Sequence, residues 1–472
     1  MEWTLFSVAV IAGLLSYSYV LHRNKVMLVI GILSAQNNSE RRQAVRDTWI
    51  NLIKGDARIK YYFVIGSEVC PVHPSDRSDE WSCENWQISL PKDCCVLSSG
   101  AKNVCDSATE TFLFRVQHAV ILLGMQISCP SVFYRINNHP TLCKVIVTDA
   151  VSGQRLTSAT VETHETDLIH NQSLHTPLLL HASYEVRVNF QIRTNTEEQS
   201  DTAKLNASPL APTPQFSWGA DGGVLRLLEP AQNGSCLPIS LKYAVSDVSR
   251  LQQHIKTATR RRLEYSHKVK TLQDQLASEQ HEFGDIAFVP VTDTYRNLPL
   301  KLLAFFKWLK EQSWATQPHF VMKTDDDVFV DTRIVMQELT EKASKSWTWW
   351  GSFREGWKPQ SAGKWREPAP HPWKVYPPFP CGGGYVLSWD LVERVIYKSQ
   401  QQEVHMPQGE DVSMGVWLED AQVWQHKGPC IWECTYAERM EQNLQLCNAG
   451  ELTPDSMRHL WKVYQKYGNV SA

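Results

Sequence analysis

The sequence has little net charge: 47 basic residues stand against 50 acidic ones, which leaves a formal charge of −3 at pH 7. Such a balance gives no global electrostatic drive toward nucleic acid or an anionic membrane surface, so we expect no nucleic-acid partner. Internal repeats and strong low-complexity tracts are also missing, which argues against a repeat protein. The hydrophobic content of 43% is that of a globular chain with a real core.

The motifs of common phosphate and zinc sites are missing as well. Residues 381–384 are glycine-rich, but they lack the Lys-Ser/Thr pair of a P-loop and the spacing of a dinucleotide fingerprint. Cys430 and Cys434 have a spacing that zinc sites use, yet no second pair stands nearby, so a disulfide is the favoured interpretation. His426 is either a metal ligand or, more commonly, a surface histidine.

One long apolar run stands at the N-terminus. Residues 3–21 are uncharged and long enough to span a bilayer as a helix, with no clear cleavage site, so residues 1–25 predict an uncleaved anchor. Arg23 and Lys25 follow the run, and positive charges at this place favour a cytosolic position for the rest of the chain. Twelve cysteines and five sequons favour the secretory lumen instead, and we adopt that type II topology. The sequons are at Asn37, Asn171, Asn206, Asn233 and Asn469.

The first part of the chain has the pattern of a strand, a helix and a second strand. Residues 26–34 are a continuous apolar run, which is typical of a strand buried on both faces of a parallel sheet. Residues 39–49 predict a helix with Ser39 as its N-cap, and residues 59–65 predict the next strand. A unit of this length predicts a parallel sheet.

The same α/β pattern returns in the second half of the chain. Pro290 makes the first strand there short or places it at a sheet edge, and Pro299 suits the first turn of the next helix. Glu410 opens the last long helical pattern. We therefore predict an α/β fold, a Rossmann-like mixed sheet with helices on both faces, built from residues 26–66 and 284–472.

Residues 67–283 interrupt this pattern with a β-rich insertion. Stretches of about ten residues with β character are separated by turn clusters, which suggests a small sandwich. A charged, helical stretch over residues 248–280 closes the insertion. Most of the cysteines lie here, so we expect a unit with a small core of its own.

Three consecutive carboxylates, Asp325, Asp326 and Asp327, follow a short apolar strand. Like charges within one turn repel each other unless a cation neutralises them. Carboxylate oxygens suit a hard divalent ion such as Mn²⁺ or Mg²⁺, and the carboxyl end of a parallel strand is where nucleotides bind. We expect a metal–diphosphate site here, and the alternative is a solvated charged loop.

Sugar transfer from a nucleotide would also need a carboxylate near the accepting hydroxyl, to take its proton during the attack. Asp411, which follows Glu410 at a predicted helix start, is the best candidate. Two acids at a helix N-terminus also stabilise the helix itself, so a structural role is the alternative.

Five ordered motifs resemble the β-1,3-glycosyltransferase family that contains the β-1,3-galactosyltransferases. The resemblance covers residues 26–66 and 284–435, and within the family the chain looks most like an N-acetylgalactosaminyltransferase. The motifs are Glu-Arg-Arg-x-x-Val-Arg-Asp-Thr-Trp at 40–49, Asp-Thr-Tyr-Arg-Asn-Leu-Pro-Leu-Lys at 293–301, Lys-Thr-Asp-Asp-Asp at 323–327, Tyr-Pro followed by Gly-Gly-Gly-Tyr-Val at 376–386, and Glu-Asp-Val at 410–412.

The resemblance implies a GT-A fold and an inverting, metal-dependent transferase that uses Mn²⁺ or Mg²⁺ with UDP-GalNAc as donor. It implies β-1,3 transfer onto a terminal GlcNAc of a glycoprotein glycan, as on the O-mannosyl glycans of dystroglycan, in the Golgi or endoplasmic reticulum membrane. Asp411 becomes the base, and Asp325 and Asp327 flank the metal. Donor contacts are implied for Arg46, Lys323, Asp325, Asp326 and Glu410.

Three other functions stay open. A β-1,3-galactosyl- or N-acetylglucosaminyltransferase of the same family would share these motifs, because donor choice depends on contacts that the sequence does not expose. An inactive relative that binds glycans or assists active transferases would be expected to lose the acidic motifs, which are present. A hydrolase with two carboxylates is the weakest alternative, since it needs an acid and a base that flank a glycosidic bond.

Overall fold

The computed structural model describes the chain from residue 26 to residue 468 with interruptions. The predicted anchor at residues 3–21 lies outside the described part, and so do Asn206, Asn233 and Asn469. None of the helices in the described part is long and apolar enough to cross a membrane. The described residues are 26–85, 97–98, 109–128, 141–163, 169–194, 225–229, 239–313, 317–341, 345–368, 371–401, 404–426, 428–433 and 445–468.

Strands and helices alternate at both ends of the chain, and strands dominate its middle. The strands are β1 (Leu28–Leu33), β2 (Ile59–Glu68), β3 (Leu97–Ser98), β4 (Thr109–Val116), β5 (Val120–Ser128), β6 (Thr141–Asp149), β7 (Arg155–Thr163), β8 (Ile169–Leu180), β9 (Glu185–Thr194), β10 (Leu225–Glu229), β11 (Ile239–Val245), β12 (Ile286–Thr292), β13 (Phe320–Asp325), β14 (Phe329–Val330), β15 (Thr348–Arg354), β16 (Phe379–Ser388), β17 (Trp424–His426) and β18 (Asn448–Ala449). The α-helices are α1 (Ser39–Asp47), α2 (Val248–Lys256), α3 (Ala258–Phe283), α4 (Leu298–Glu311), α5 (Thr332–Glu341), α6 (Trp389–Gln401), α7 (Glu410–Trp417) and α8 (Pro454–Tyr467).

A seven-stranded mixed sheet forms the centre of the α/β part. Its strand order is β12-β2-β1-β13-β16-β15-β17. The first four strands are parallel, whereas β16 runs antiparallel to both β13 and β15. The predicted mixed sheet is therefore present, and β12, the strand that contains Pro290, lies at its edge, as expected.

Strand β1 shows that the sheet is buried on both faces. Leu28, Ile30 and Ile32 pack in a cluster with side chains of α1, α5 and α8, whereas Val29 and Leu33 pack with side chains of α4, α6 and α7. Successive side chains of a strand point to opposite faces, so an apolar residue is needed at every position when helices cover both. The continuous apolar run thus follows from the helices on both faces.

The strands between β2 and β12 form two antiparallel sheets. One has the order β10-β4-β9-β6-β7 and the other β3-β11-β5-β8. Buried side chains from both, among them Phe112, Met125 and Phe190, form one apolar cluster. Two sheets around a common cluster have the form of a small sandwich, and we call these strands the two-sheet section. That residues 67–283 are a separate domain stays a prediction.

Three details differ from the sequence interpretation. β2 continues to Glu68, because its end still pairs with Thr292 of β12. The charged stretch forms two helices rather than one, and α3 reaches the cluster of the central sheet through Leu276. The helix that starts at Glu410 is not the last, because α8 follows and packs against the same sheet through Met457 and Tyr464.

Disulfides in the described ranges join Cys70 to Cys83 and Cys430 to Cys447. The second bond settles the alternatives for Cys430, which is half of a disulfide and not a zinc ligand. It connects the segment that ends at Glu433 with the start of β18, and the backbones of Ile431 and Leu446 pair beside it.

Gly31 in β1 is required by the close approach of α4. A Cβ atom at this position would lie 2.8 Å from Cζ of Phe305. We expect Gly31→Ala to lower the free energy of unfolding by about 1–3 kcal/mol, the usual cost of overfilling a packed core, as measured by urea denaturation. Gly450→Ala is the control, because among the described residues its Cβ would meet only Val328, at 3.9 Å. Equal stability of the two variants would contradict this account of the packing.

Candidate active site

The acidic triplet lies at the edge of the central sheet where the parallel strands end. Asp325 of β13 pairs with Leu33 of β1, and the backbone N–H of Asp326 donates to the Leu33 carbonyl at 3.1 Å. Because β16 runs antiparallel, its first half reaches the same edge, where Gly384 pairs with Thr324. Motifs that are far apart in the sequence therefore meet at one edge.

Lys323 connects the triplet with α7 through one buried ammonium group. Its Nζ lies 3.0 Å from Asp325 Oδ1 and 2.6 Å from Glu410 Oε1, and it also donates to the carbonyl of Gly382. Burial lowers the pKa of Lys323, but the two carboxylates outweigh this effect and raise the pKa well above its usual range. An ammonium group has three protons, and these three acceptors use them. Lys323 thus holds the site together, and the donor contact predicted for it stays a prediction.

The two carboxylates at the start of α7 have different environments. Glu410 is buried against Lys323, and the donor contact predicted for it stays a prediction. Asp411 accepts a hydrogen bond from the backbone N–H of Val412 at 2.8 Å, and no ion pair to it is found among the described residues. Burial raises the pKa of Asp411 to about 7; the charge of Glu410 adds to the rise and that of Lys323 opposes it. A carboxyl with such a pKa suits a general base near neutral pH.

Two glycines let these carboxylates approach the backbone. A Cβ atom at Gly382 would lie 3.2 Å from Glu410 Oε1 and 3.3 Å from Asp411 Oδ2. Gly409, directly before α7, has a φ of +131°, a conformation that glycine adopts without strain. The glycine run in β16 therefore makes room for acidic side chains.

Asp326 points away from Lys323 toward the loop between β1 and α1. It is 4% exposed and accepts hydrogen bonds from Ser34 Oγ at 2.7 Å, Asn38 Nδ2 at 2.9 Å and Arg41 Nη1 at 3.3 Å. Burial raises the pKa of Asp326, and these hydrogen bonds oppose the rise. Its oxygens are occupied and shielded, which favours a structural role, and the donor contact predicted for Asp326 stays a prediction.

Asp325 and Asp327 are the members of the triplet that reach solvent, with side chains 34% and 31% exposed. Burial raises the pKa of Asp325 to about 7, with Lys323 opposing the rise. In the described part of the chain, no group of three or more His, Cys, Asp or Glu side chains is arranged to hold a metal ion. Two partly exposed carboxylates nevertheless fit an ion that takes other ligands from a diphosphate, as Mg²⁺ commonly does.

Arg41, and not Arg46, is the arginine of α1 that reaches the triplet, where its Nη1 lies 3.0 Å from Asp327 Oδ2. Arg46 stands at the other end of α1 and pairs with Glu279 and Asp285, each at 2.8 Å. Asp285 directly precedes β12, so this pair lies at the edge where the parallel strands begin. The donor contact predicted for Arg46 stays a prediction, and this position does not favour it. The sequence held a usable signal, because the first turn of a helix that follows β1 must lie near the carboxyl end of that strand.

His426 is buried, and its Nε2 lies 2.6 Å from Glu338 Oε1. It belongs to β17, where its neighbour Trp424 pairs with Thr348 at the start of β15, on the sheet edge opposite the triplet. The expectation of a surface histidine is therefore wrong. His426 itself pairs with Trp350 of β15, which is level with Val386 of β16 and Met322 of β13, and a role as a metal ligand stays the alternative.

The chain is similar to known glycosyltransferases. The galactosyltransferase family matches residues 265–429, a range that contains the triplet and both carboxylates of α7. UDP-GalNAc:β-1,3-N-acetylgalactosaminyltransferase 2 of Danio rerio is 29% identical over 467 residues, which cover 94% of this chain and 90% of that protein. The protein of the same name from Homo sapiens is 27% identical, with 94% and 88% covered. β-1,3-Galactosyltransferase 6 of Mus musculus is 36% identical over 157 residues, 33% of this chain and 47% of that protein.

Proposed function

The chain belongs to the galactosyltransferase family and is a hexosyltransferase, and we propose that it moves GalNAc from UDP-GalNAc onto a glycan hydroxyl in β-1,3 linkage with inversion. The observation that carries the proposal is the Lys323 ammonium, which joins Asp325 to Glu410 and so places the triplet beside Asp411. Similarity to N-acetylgalactosaminyltransferases over nearly the whole chain supports this donor. The mixed sheet with helices on both faces supports a GT-A fold.

Asp411 is the base in the proposed reaction. It accepts the proton of the acceptor hydroxyl while that oxygen bonds to the anomeric carbon, and the bond from this carbon to the UDP oxygen breaks. Glu410 is unsuited to this role because its carboxylate is buried against Lys323 at 2.6 Å. Asp411 has no such cation among the described residues, and its raised pKa makes it a better proton acceptor.

Asp325 and Asp327 would hold a Mn²⁺ or Mg²⁺ ion together with the phosphates of the donor. Such an ion, when bound, neutralises the charge that develops on UDP as it leaves. Lys323 holds Asp325 in place for this role, and Arg41 holds Asp327. The Arg41 side chain is 40% exposed, so it adds positive charge at the edge where a diphosphate would bind.

We propose a terminal GlcNAc of a glycoprotein glycan as the acceptor, as on the O-mannosyl glycans of dystroglycan. We also propose that residues 3–21 anchor the chain in the Golgi or endoplasmic reticulum membrane with its body in the lumen. Disulfides such as Cys70–Cys83 and Cys430–Cys447 support an oxidising compartment.

Galactose transfer is the second candidate. The match to β-1,3-galactosyltransferase 6 has a higher identity than the matches to the N-acetylgalactosaminyltransferases, although it covers only 33% of this chain. A donor-hydrolysis assay with UDP-GalNAc, UDP-galactose and UDP-GlcNAc, each with and without Mn²⁺, separates these donors. Faster turnover of UDP-galactose than of UDP-GalNAc would favour the second candidate.

Asp411→Asn should lower kcat by about 10²-fold or more, the usual size of general-base catalysis, while UDP affinity measured by calorimetry stays the same. In the wild type, kcat/KM should fall as the pH drops below about 7, because the raised pKa of Asp411 leaves it protonated there. Glu419→Gln, an exposed acid just beyond α7, is the control and should match the wild type. If UDP affinity fell as much as turnover, Asp411 would be a binding residue.

Asp327→Asn should abolish transfer and weaken UDP binding in the presence of Mn²⁺, because it removes one of the two exposed carboxylates of the triplet. Calorimetry with UDP, with and without the ion, measures the effect. Asp455→Asn is the matched control, since the Asp455 side chain is 97% exposed on α8. Wild-type activity of Asp327→Asn, or activity unaffected by a chelator, would refute the metal assignment.

The lumenal topology predicts N-glycans on the cellular protein. Asn171, Asn206 and Asn233 are the best acceptors, because they lie in the polar insertion. Asn37 follows the first strand and is expected to be a poor acceptor, although it is exposed in the structure. Glycosidase digestion should increase the electrophoretic mobility of the protein from cells. Unchanged mobility would support the cytosolic topology that Arg23 and Lys25 favour.

A further inference from the structure

The connection between β15 and β16 leaves the sheet at the edge that carries the triplet. Arg354, which ends β15, pairs with Phe379, which begins β16, and Gly384 further along pairs with Thr324 beside the triplet. We call the described residues of this connection, 355–368 and 371–378, the site-edge loop. Its two ends therefore lie next to the proposed site.

Trp365 of the site-edge loop is exposed, yet its orientation is fixed. Trp365 is 53% exposed, and its Nε1 donates a hydrogen bond to the hydroxyl of Tyr295 at 2.9 Å. Lys364 Nζ lies 4.0 Å from the centre of the Tyr295 ring. Burial raises the pKa of Tyr295, and the carboxylates of Glu410 and Asp411 add to the rise. Tyr295 directly precedes Arg296, whose Nη1 donates to Gln408 Oε1 at 2.7 Å, so the residue that holds the indole is tied to the segment that leads into α7.

Hydrogen bonds also connect the site-edge loop with the residues before α7. Arg296 Nη1 donates to Gln408 Oε1 at 2.7 Å and to the carbonyl of Arg366 at 3.4 Å. The backbone N–H of Gln408 donates to Glu367 Oε2 at 3.0 Å. Gln408 stands three residues before Asp411 in the sequence, so these bonds couple the position of the loop to that of the proposed base.

The two-sheet section holds the site-edge loop from the other side. Glu185 of β9 accepts a hydrogen bond from the backbone N–H of Gly363 at 2.8 Å and pairs with Arg115 of β4. Arg115 lies 3.4 Å from Asp79, which in turn pairs with Arg296 at 3.2 Å. Buried charges are stable only when they are paired, so this series of ion pairs fixes the loop between the two-sheet section and α7.

We propose that Trp365 is the floor of the acceptor subsite, on which a sugar of the acceptor glycan stacks, and that Glu185 is a positioning residue for it. The inference rests on the proposed function, because it assigns the sugar-accepting side of that same site. The face of an indole ring carries partial negative charge, which suits the C–H groups of a sugar ring. A ring that is already fixed loses little entropy on binding.

The test measures steady-state transfer from UDP-GalNAc to a β-linked GlcNAc glycoside. Trp365→Ala should raise the acceptor KM about tenfold or more, as loss of a tryptophan anchor commonly does, whereas the KM for UDP-GalNAc changes far less. The control is Trp424→Ala. Trp424 is also exposed, at 42%, but lies on β17 at the opposite sheet edge, so both constants should stay at wild-type values.

Glu185→Gln tests the positioning role, because it keeps the size of the side chain and removes its charge. The acceptor KM should rise while kcat at saturating acceptor changes less, and the thermal midpoint of each variant reports on folding. A lower midpoint with an unchanged acceptor KM would overturn the role of Glu185.

The outcomes separate this inference from the proposed function. Normal transfer by Trp365→Ala with an unchanged acceptor KM would overturn the subsite and leave the proposed function intact. Absence of both transfer and UDP-GalNAc hydrolysis in the wild type would overturn the proposed function itself.

Discussion

The buried ammonium group of Lys323 is the interaction on which the rest of the site depends. A charge removed from water is tolerated only when opposite charges and hydrogen bonds replace the water, and here Asp325, Glu410 and the carbonyl of Gly382 do so. Each partner comes from a different element, namely β13, α7 and β16. Burial of this one cation therefore requires β13, α7 and β16 to keep fixed relative positions. The position of Asp411 follows, because its neighbour Glu410 is held by the same ammonium group.

A second set of charges fixes the position of α1. Its three arginines have different partners. Arg42 is fully buried and pairs with Glu279 at 2.7 Å, and Arg46 pairs with Glu279 and Asp285. Both tie α1 to the end of α3, and Arg46 also ties it to Asp285 before β12, which leaves Arg41 to face the triplet. Planar guanidinium groups suit such multiple pairing, so one short basic helix serves both the scaffold and the site edge.

Much of the fold was predictable because it follows from local pattern. The apolar run of β1 indicates a strand covered on both faces, and Pro290 indicates an edge strand, because both effects act within a few residues.

The site was predictable only in part. Which of three consecutive carboxylates faces solvent depends on Ser34 and Asn38, which hold Asp326 from another loop. The roles of Lys323 and Arg46 depend likewise on partners that are distant in the sequence. Five ordered motifs indicated one region, but a motif does not state which other side chains each of its residues contacts.

The pairing of β2 with β12 has a consequence for how the chain reaches its folded state. Phe63 and Ile286 are neighbours in the sheet, although the whole two-sheet section stands between them in the sequence. Closing a long unfolded loop carries an entropic cost and slows the formation of such distant contacts. A two-sheet section that folds first on its own apolar cluster would bring its ends together and shorten that search. The order of folding, and not only the final contacts, then determines how quickly the edge that carries the triplet is completed.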